Sequence, residues 1–283
     1  MNQTNIIKTI ETNGFIEIDY PDRLKKVIIR SFVNWKNFCA LSKEIKEKFI
    51  FEKNGGYEKR IKKNNYDNKE TFHTSIPGIK RFDRMKLLKN QTACLFLSDA
   101  STILKEVLPI LENFTKQVEE TFIIKKILSD IKKYPDCLSI RYIHYLPGNN
   151  ISDIIGQPHV DKGGFTLHLF EDCDGVEYLW KNLWYPFPLN KNKTVLFGGL
   201  QLQLITKNSV KALCHRILAT KKSTESGRYS IVLFTNFPSK PYYNKSVYGR
   251  SQNFPAGFNY TISFSEFAKM FTRSKKMSAH EIS

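Results

Sequence analysis

Residues 159–180 read "HVDKGGFTLHLFEDCDGVEYLW". Two β-rich segments, "GFTLHLF" and "GVEYLW", flank a short acidic turn that ends in glycine. The same texture continues on both sides, in "CLSIRYIHYL" from Cys137, "TVLFGG" from Thr194, "LQLQLI" from Leu200 and "RYSIVLF" from Arg228. Short β-branched and aromatic runs at this spacing predict an antiparallel sandwich or barrel.

Upstream the pattern changes. "NGFIEIDY" (13–20) alternates apolar and polar residues and reads as a strand. After Pro21, residues Leu24, Val27, Ile28 and Trp35 recur near helical spacing. Residues 54–91 are polar, contain Gly55, Gly56, Pro77 and Gly78, and read as long loops. A second helix is expected over 101–128, with Leu104, Leu108, Leu111, Val118 and Phe122 along one stripe. No Pro/Gly/Ser-rich linker separates these parts. The expectation is a single domain over 1–283, with a helical N-terminal region and first strands at 1–136. A β core follows at 137–240, and a C-terminal extension at 241–283 packs near the active site.

Composition narrows the function classes. The chain has 283 residues, 41% of them hydrophobic and 13% aromatic, which is ample for a buried core. No apolar run approaches the roughly 18 residues that suggest a membrane span, and no secretory leader is evident. The five cysteines form no CxxC, so a reducing, cytoplasmic setting is expected rather than a disulfide framework. The formal charge of +17 invites a nucleic-acid reading. However, only ten of the 44 basic residues are arginine, the residue on which base-edge readout leans. "EKRIKKNN" (58–65) and "KRFDRMKLLK" (80–89) are read as solvated surface, and nucleic acid as a disfavoured partner.

The chemistry starts at His159 and Asp161. Alternate residues of a strand share a face, so the two point the same way. His215, with 53 residues between it and Asp161, supplies a second imidazole from elsewhere in a β fold. Two imidazoles and a carboxylate on one face of an ion leave open positions for co-substrate and dioxygen, as in non-haem ferrous sites. Alone, the His-x-Asp pair is a weak signal. Arg228 and Ser230, again two apart, suit bidentate capture of a carboxylate.

Taken together, HxD, then His215 followed by Arg216, then RxS resemble the isopenicillin N synthase-like family of Fe(II)/2-oxoglutarate-dependent oxygenases. "HVDKGGFTLHLFEDCDGVEYLW" is similar to that family's HxDxGxLTL segment with its downstream DxxGLQV. "WYPFPLNKNKTVLFGGLQLQLITKNSVKALCHRI" is similar to its stretches before the HR pair. "NGFIEIDY" and "FCALSKEIKEKF" resemble its N-terminal strand and helix end, and the resemblance covers about residues 12–240.

The resemblance implies a mainly β protein with flanking helices, a distorted double-stranded β-helix (jelly-roll). It implies that His159, Asp161 and His215 bind Fe(II). It further implies that Arg228 and Ser230 hold the distal carboxylate of 2-oxoglutarate, with Tyr145 as a further contact. In one register of "IRYIHYLPG", Arg141, Ile143 and Tyr145 face the pocket; in another, Tyr142 does. Leu200 stands where relatives often have Asp, and Asp161 is present, which disfavours halogenation. Arg81, Arg84 and Arg141 are candidates to meet an anionic group, and Phe165, Tyr145 and Trp184 to form an apolar wall.

The function so implied is a dioxygenase that hydroxylates, desaturates or cyclises a small molecule, an amino acid or natural-product precursor, using Fe(II), 2-oxoglutarate and dioxygen. The alternative is a 2-oxoglutarate-independent iron oxidase of the same fold. A base-repair enzyme and a non-enzymatic binding protein rank lower. The expected state is a monomer or weak homo-oligomer without a membrane partner.

Overall fold

The computed structural model describes residues 6–50, 55–61, 67–124, 127–151, 153–188, 192–206 and 209–237. The expected C-terminal extension at 241–283 lies outside these residues.

A short helix α1 (Ile6–Asn13) leads through Gly14, held at φ +84°, into strand β1 (Phe15–Asp19). A Cβ on Gly14 would lie 2.8 Å from Leu213 and 2.9 Å from Trp180, so this tight helix-to-strand corner needs glycine twice over. Helix α2 (Asp22–Cys39) buries Leu24, Val27, Ile28, Ser31, Trp35 and Phe38 on one face, and α3 (Lys43–Glu47) follows.

The region read as long loops is ordered structure. It holds β2 (Gly56–Arg60), β3 (Lys69–Thr74) and α4 (Ile76–Arg84). Its polar residues misled because β2 and β3 lie at the sheet margin, where Arg60 pairs with Asp67 and Glu58 while Tyr57 and Phe72 turn inward. Pro77 and Gly78 open α4 rather than break the chain. Ser75 caps that helix by accepting from the Gly78 amide.

The helix expected over 101–128 is three pieces: α5 (Gln91–Glu106), α6 (Leu108–Phe122) and α7 (Ile127–Lys133). Pro109 sits in the first turn of α6 and cannot donate to the preceding turn, so the helix ends and restarts at Val107.

From here the chain is mostly strand: β4 (Leu138–Tyr145), β5 (Ile154–His159), β6 (Phe165–Glu171), β7 (Val176–Trp180), β8 (Leu183–Pro186) and β9 (Lys193–Gly198). Then come α8 (Leu200–Ile205), β10 (His215–Leu218), α9 (Lys221–Ser226) and β11 (Arg228–Thr235). "LQLQLI", expected as a strand, is therefore helix α8. Its alternation is not an inside-outside pattern, since all six residues are buried. Gln201 exchanges hydrogen bonds with the Phe237 backbone, and Gln203 accepts from the Ala212 amide.

The strands form two antiparallel sheets. One runs β1-β9-β6-β11-β4-β3-β2 and the other β5-β10-β7-β8, giving the jelly-roll arrangement of a double-stranded β-helix with flanking helices. The outer face of the large sheet, with Ile140, Tyr142, Leu167, Ile231 and Leu233, joins α2, α5 and α6 in the main core. Trp35, Phe38, Phe72, Phe96 and Tyr142 interlock there, with Phe96 and Tyr142 edge to face at 4.7 Å. A second apolar cluster unites Ile143, Tyr145, Val195, Phe197 and Val232 of the large sheet with Ile155, Val176 and Ile217 of the small one.

Candidate metal centre and carboxylate anchor

His159 ends β5 and His215 begins β10, and the two are directly paired in the antiparallel ladder. Directly paired residues of neighbouring strands present their side chains side by side. The imidazole rings accordingly stand 4.3 Å apart between centroids. Asp161, two residues past His159, brings Oδ1 to 3.8 Å from His159 Nε2. One ligand atom from each of the three lies within 4.8 Å of the others.

The ring nitrogens are already sorted. Nδ1 of His159 lies 2.7 Å from the Gln157 carbonyl, and Nδ1 of His215 lies 3.1 Å from that of Leu213. A carbonyl can only accept, so each Nδ1 carries the proton and each Nε2 keeps its lone pair for an ion. Thr166 donates to Asp161 Oδ2 at 2.6 Å and steadies the carboxylate. Burial and the neighbouring His159 push the His215 imidazole down to about 4, so it is neutral at pH 7, the form able to bind a metal ion. Two imidazoles, one carboxylate and free Nε2 atoms fit a ferrous ion.

The turn behind these three residues is stitched to α8. The Leu200 amide donates to the Asp161 carbonyl, and that of Gln201 to Gly163. A Cβ on Gly199 would lie 2.4 Å from the Gly163 oxygen, and one on Gly164 would lie 2.3 Å from the Phe237 ring. Leu200 thus has a backbone role at the turn, and its side chain is core.

On the opposite sheet, β11 turns Arg228 and Ser230 inward, and both are fully buried. Burial pushes the Arg228 guanidinium down to about 10, still charged at neutral pH. Among the described residues its Nε and Nη1 are buried without a hydrogen-bond partner, and Tyr145, paired across from it on β4, lies beneath its guanidinium at 6.0 Å. Orphaned buried donors on a cation fit a carboxylate ligand. Arg228 Nη2 is ion-paired with Glu171, whose Oε2 also lies 3.1 Å from His168 Nε2.

The two registers of β4 are now distinguished. Tyr142 faces the helices, with its hydroxyl 2.7 Å from Ser31 Oγ, whereas Ile143 and Tyr145 enter the inter-sheet cluster. Arg141 borders a cavity of about 350 Å³ that is also lined by Tyr57, Arg60, Lys69, Thr71 and His73. Burial lowers its guanidinium, while the Asp161 carboxylate opposes that shift.

Other candidates fall elsewhere. Phe165 is not a pocket wall; it packs edge to face on Phe114 at 4.8 Å in the main core. Arg81 and Arg84 are exposed in the last turn of α4 and do not line the Arg141 cavity. Trp184 carries the Arg216 guanidinium 4.2 Å over its ring and belongs to the β7–β8 corner.

Sequence reading missed Thr166, His168 and Glu171. His168 and Glu171 are three apart, so strict alternation puts them on opposite faces. A bulge that skips Leu169 sets both inward, opposite Val232 and Ser230 of β11, and no residue pattern announces it.

A second cluster, Cys39, Glu70 and His144, also brings ligand atoms within 4.8 Å of one another. Glu70 already accepts from Lys46 at 3.0 Å and Tyr57 at 3.0 Å, with Lys59 at 3.3 Å. A divalent ion there meets two ammonium groups, so this cluster is a structural tie.

Residues 134–237 match the model of the 2OG-Fe(II) oxygenase superfamily. Among curated proteins, the chain is 30% identical to 1-aminocyclopropane-1-carboxylate oxidase 1 of Arabidopsis thaliana over 108 residues, covering 38% of this chain and 31% of that one. It is 27% identical to the corresponding oxidase of Dendrobium crumenatum over 155 residues, covering 51% and 43%. The match thus spans less than half the length of these relatives. Among solved structures, a 2OG-Fe(II) oxygenase family protein from Caulobacter crescentus aligns with TM-score 0.71 at 21% identity, covering 96% of this chain and 93% of that one. A full-length Neurospora crassa protein, crystallised in complex with alpha-KG and 5-formyluracil, aligns with TM-score 0.68 at 19% identity, covering 87% and 84%. At these identities the likeness is one of fold. No described helix is long and apolar enough to cross a membrane.

Proposed function

We infer that this chain, whose residues 134–237 match the model of the 2OG-Fe(II) oxygenase superfamily, is an iron- and 2-oxoglutarate-dependent oxygenase that oxidises a small molecule. The observation that carries the reading is the convergence of His159, Asp161 and His215, with both Nε2 atoms free, across from a buried arginine with orphaned donors.

His159, Asp161 and His215 would hold the ion, and Arg228 with Ser230 and Tyr145 the distal end of 2-oxoglutarate. When bound, iron would couple the oxidative decarboxylation of 2-oxoglutarate by dioxygen to oxidation of a substrate C–H bond. The chain's own contribution is placement and dryness. Carbonyl contacts aim the two imidazoles, Thr166 fixes the carboxylate, and Ile143, Phe187, Phe197 and Val232 exclude water from the space between the sheets.

The cavity at Arg141 is the proposed substrate entrance. Arg60 and Lys69 each face Asp67 at its rim, whereas Arg141 has no carboxylate within ion-pair distance among the described residues. This favours a substrate with an anionic group, and the curated relatives are oxidases of an amino acid that carries a carboxylate. A 2-oxoglutarate-independent oxidase is not favoured, since solved structures sharing this fold hold the co-substrate.

The test is to load Fe(II) anaerobically, admit dioxygen with 2-oxoglutarate, and measure succinate against oxygen consumed while screening small carboxylic acids. Stoichiometric succinate is expected, with Arg228→Ala lowering turnover roughly 10- to 100-fold through loss of a charge-assisted contact. Oxygen uptake without succinate, or failure to bind iron, overturns the reading.

A further inference from the structure

Glu171 is a buried carboxylate placed where the co-substrate's own distal carboxylate is expected. Its side chain is 3% exposed and ion-paired with Arg228, which is 0% exposed. Cross-strand pairing sets Glu171, Ser230 and Ile143 in one row across β6, β11 and β4, so Glu171 shares the face of both proposed anchor residues. Glu171 and His168 also line a cavity of about 180 Å³ with Val195, Pro188 and Lys193.

Among the described residues, the surrounding charges leave Arg228 as the cation that answers Glu171. His168, on the same strand, is pushed down to about 3 by burial and then by Arg228, so it is neutral and adds a polar contact but no charge. From β4, Tyr145 faces Arg228, and Arg141 stacks over Phe234 at 5.0 Å. From β9, Lys193 approaches Asp19 at 3.9 Å. Asp172, next in sequence, accepts from the Tyr229 amide and lies near Lys222. One guanidinium would therefore serve two carboxylates once 2-oxoglutarate arrives, and like charges at such range oppose each other strongly in a buried site.

We propose that Glu171 is a specificity-determining residue that pre-neutralises Arg228 and so weakens the anchor's preference for 2-oxo acids ending in a carboxylate over those ending in an uncharged group. The proposal rests on the co-substrate reading above and adds a residue-level consequence to it.

The experiment is calorimetry on the full chain loaded with Mn(II) in the absence of oxygen, titrated with 2-oxoglutarate and with 2-oxopentanoate, the same carbon chain without the distal acid. Glu171→Gln keeps the shape and removes the charge; Glu171→Met is the second variant, and metal stoichiometry reports that each has folded. In both variants 2-oxoglutarate is expected to tighten at least about tenfold while 2-oxopentanoate is unchanged, since one buried like-charge contact is worth a factor of this order. Equal or weaker 2-oxoglutarate binding in variants that still bind metal overturns this inference and leaves the co-substrate reading standing. Metal uptake with no heat from either acid in any of the three proteins overturns both.

Discussion

Arg141 and His144 sit on one strand, three residues apart, and their fates differ because β4 divides two environments. Arg141 looks into a polar cavity and His144 into the packed side, where it stacks on Tyr229 at 3.9 Å with both ring nitrogens buried and unpartnered among the described residues. Among acids that couple to succinate release, Arg141→Gln is expected to raise KM roughly 10- to 100-fold with a smaller change in kcat; an unchanged KM removes Arg141 from substrate binding. Burial pushes His144 down from 6.5 to about 4. Its neutral form is the folded one, so the stability it protects is complete above pH 6.5 and is lost as pH falls toward 4, by about 3 kcal/mol. His144→Phe keeps the stack, and urea titrations should show a flatter decline across that window without loss at pH 7.5. At this scale the sequence is legible where strand alternation holds, as at Arg228 and Ser230 on β11; Asp161 lies beyond the end of β5, so its approach to His159 depends on the turn that follows. The sequence is silent on Glu171, whose placement depends on a bulge, and on Phe165, whose neighbour Phe114 lies on a distant helix.

Elements are where composition misled most. Pro77 and Pro109 each open a helix, yet the first was read as loop and the second as helix interior. Proline marks a boundary without saying which side of it is ordered. The Leu/Gln alternation of α8 mimicked a strand because its glutamines are buried as partners for backbone groups rather than exposed. That helix buttresses the turn after the proposed metal ligands, and the turn depends on Gly164. Gly164→Ala would place a methyl group 2.3 Å from the Phe237 ring, which is packed in the main core against Phe165 and would have to shift. A loss of about 1–3 kcal/mol is expected, together with weaker Mn(II) binding. A variant with unchanged thermal midpoint and metal affinity shows that the turn tolerates more than its geometry suggests.

At the scale of the molecule, helices and sheet are joined by a buried polar tie. Lys46 of α3 reaches Glu70 of β3 and the carbonyl of Cys39 at the end of α2. Burial alone would raise Glu70, but the bond and charge from Lys46 together with the bonds from Tyr57 and Lys59 hold the carboxyl below its usual range. Glu70→Ala strands the Lys46 ammonium, 7% exposed, and is expected to cost about 3–5 kcal/mol in urea unfolding. Adding Lys46→Met should recover part of that loss; a second variant no better than the first places the cost in packing instead. The +17 charge, conspicuous in composition, is carried largely by residues outside this tie and outside the proposed centre. The imidazoles of that centre belong to the small sheet and its arginine to the large one. A single molecule gripping both ends therefore acts as a cross-brace between the two layers. Saturating 2-oxoglutarate and Mn(II) together should slow amide exchange in β5, β10 and β11 at once, coupling occupancy of the reaction chamber to the rigidity of its walls.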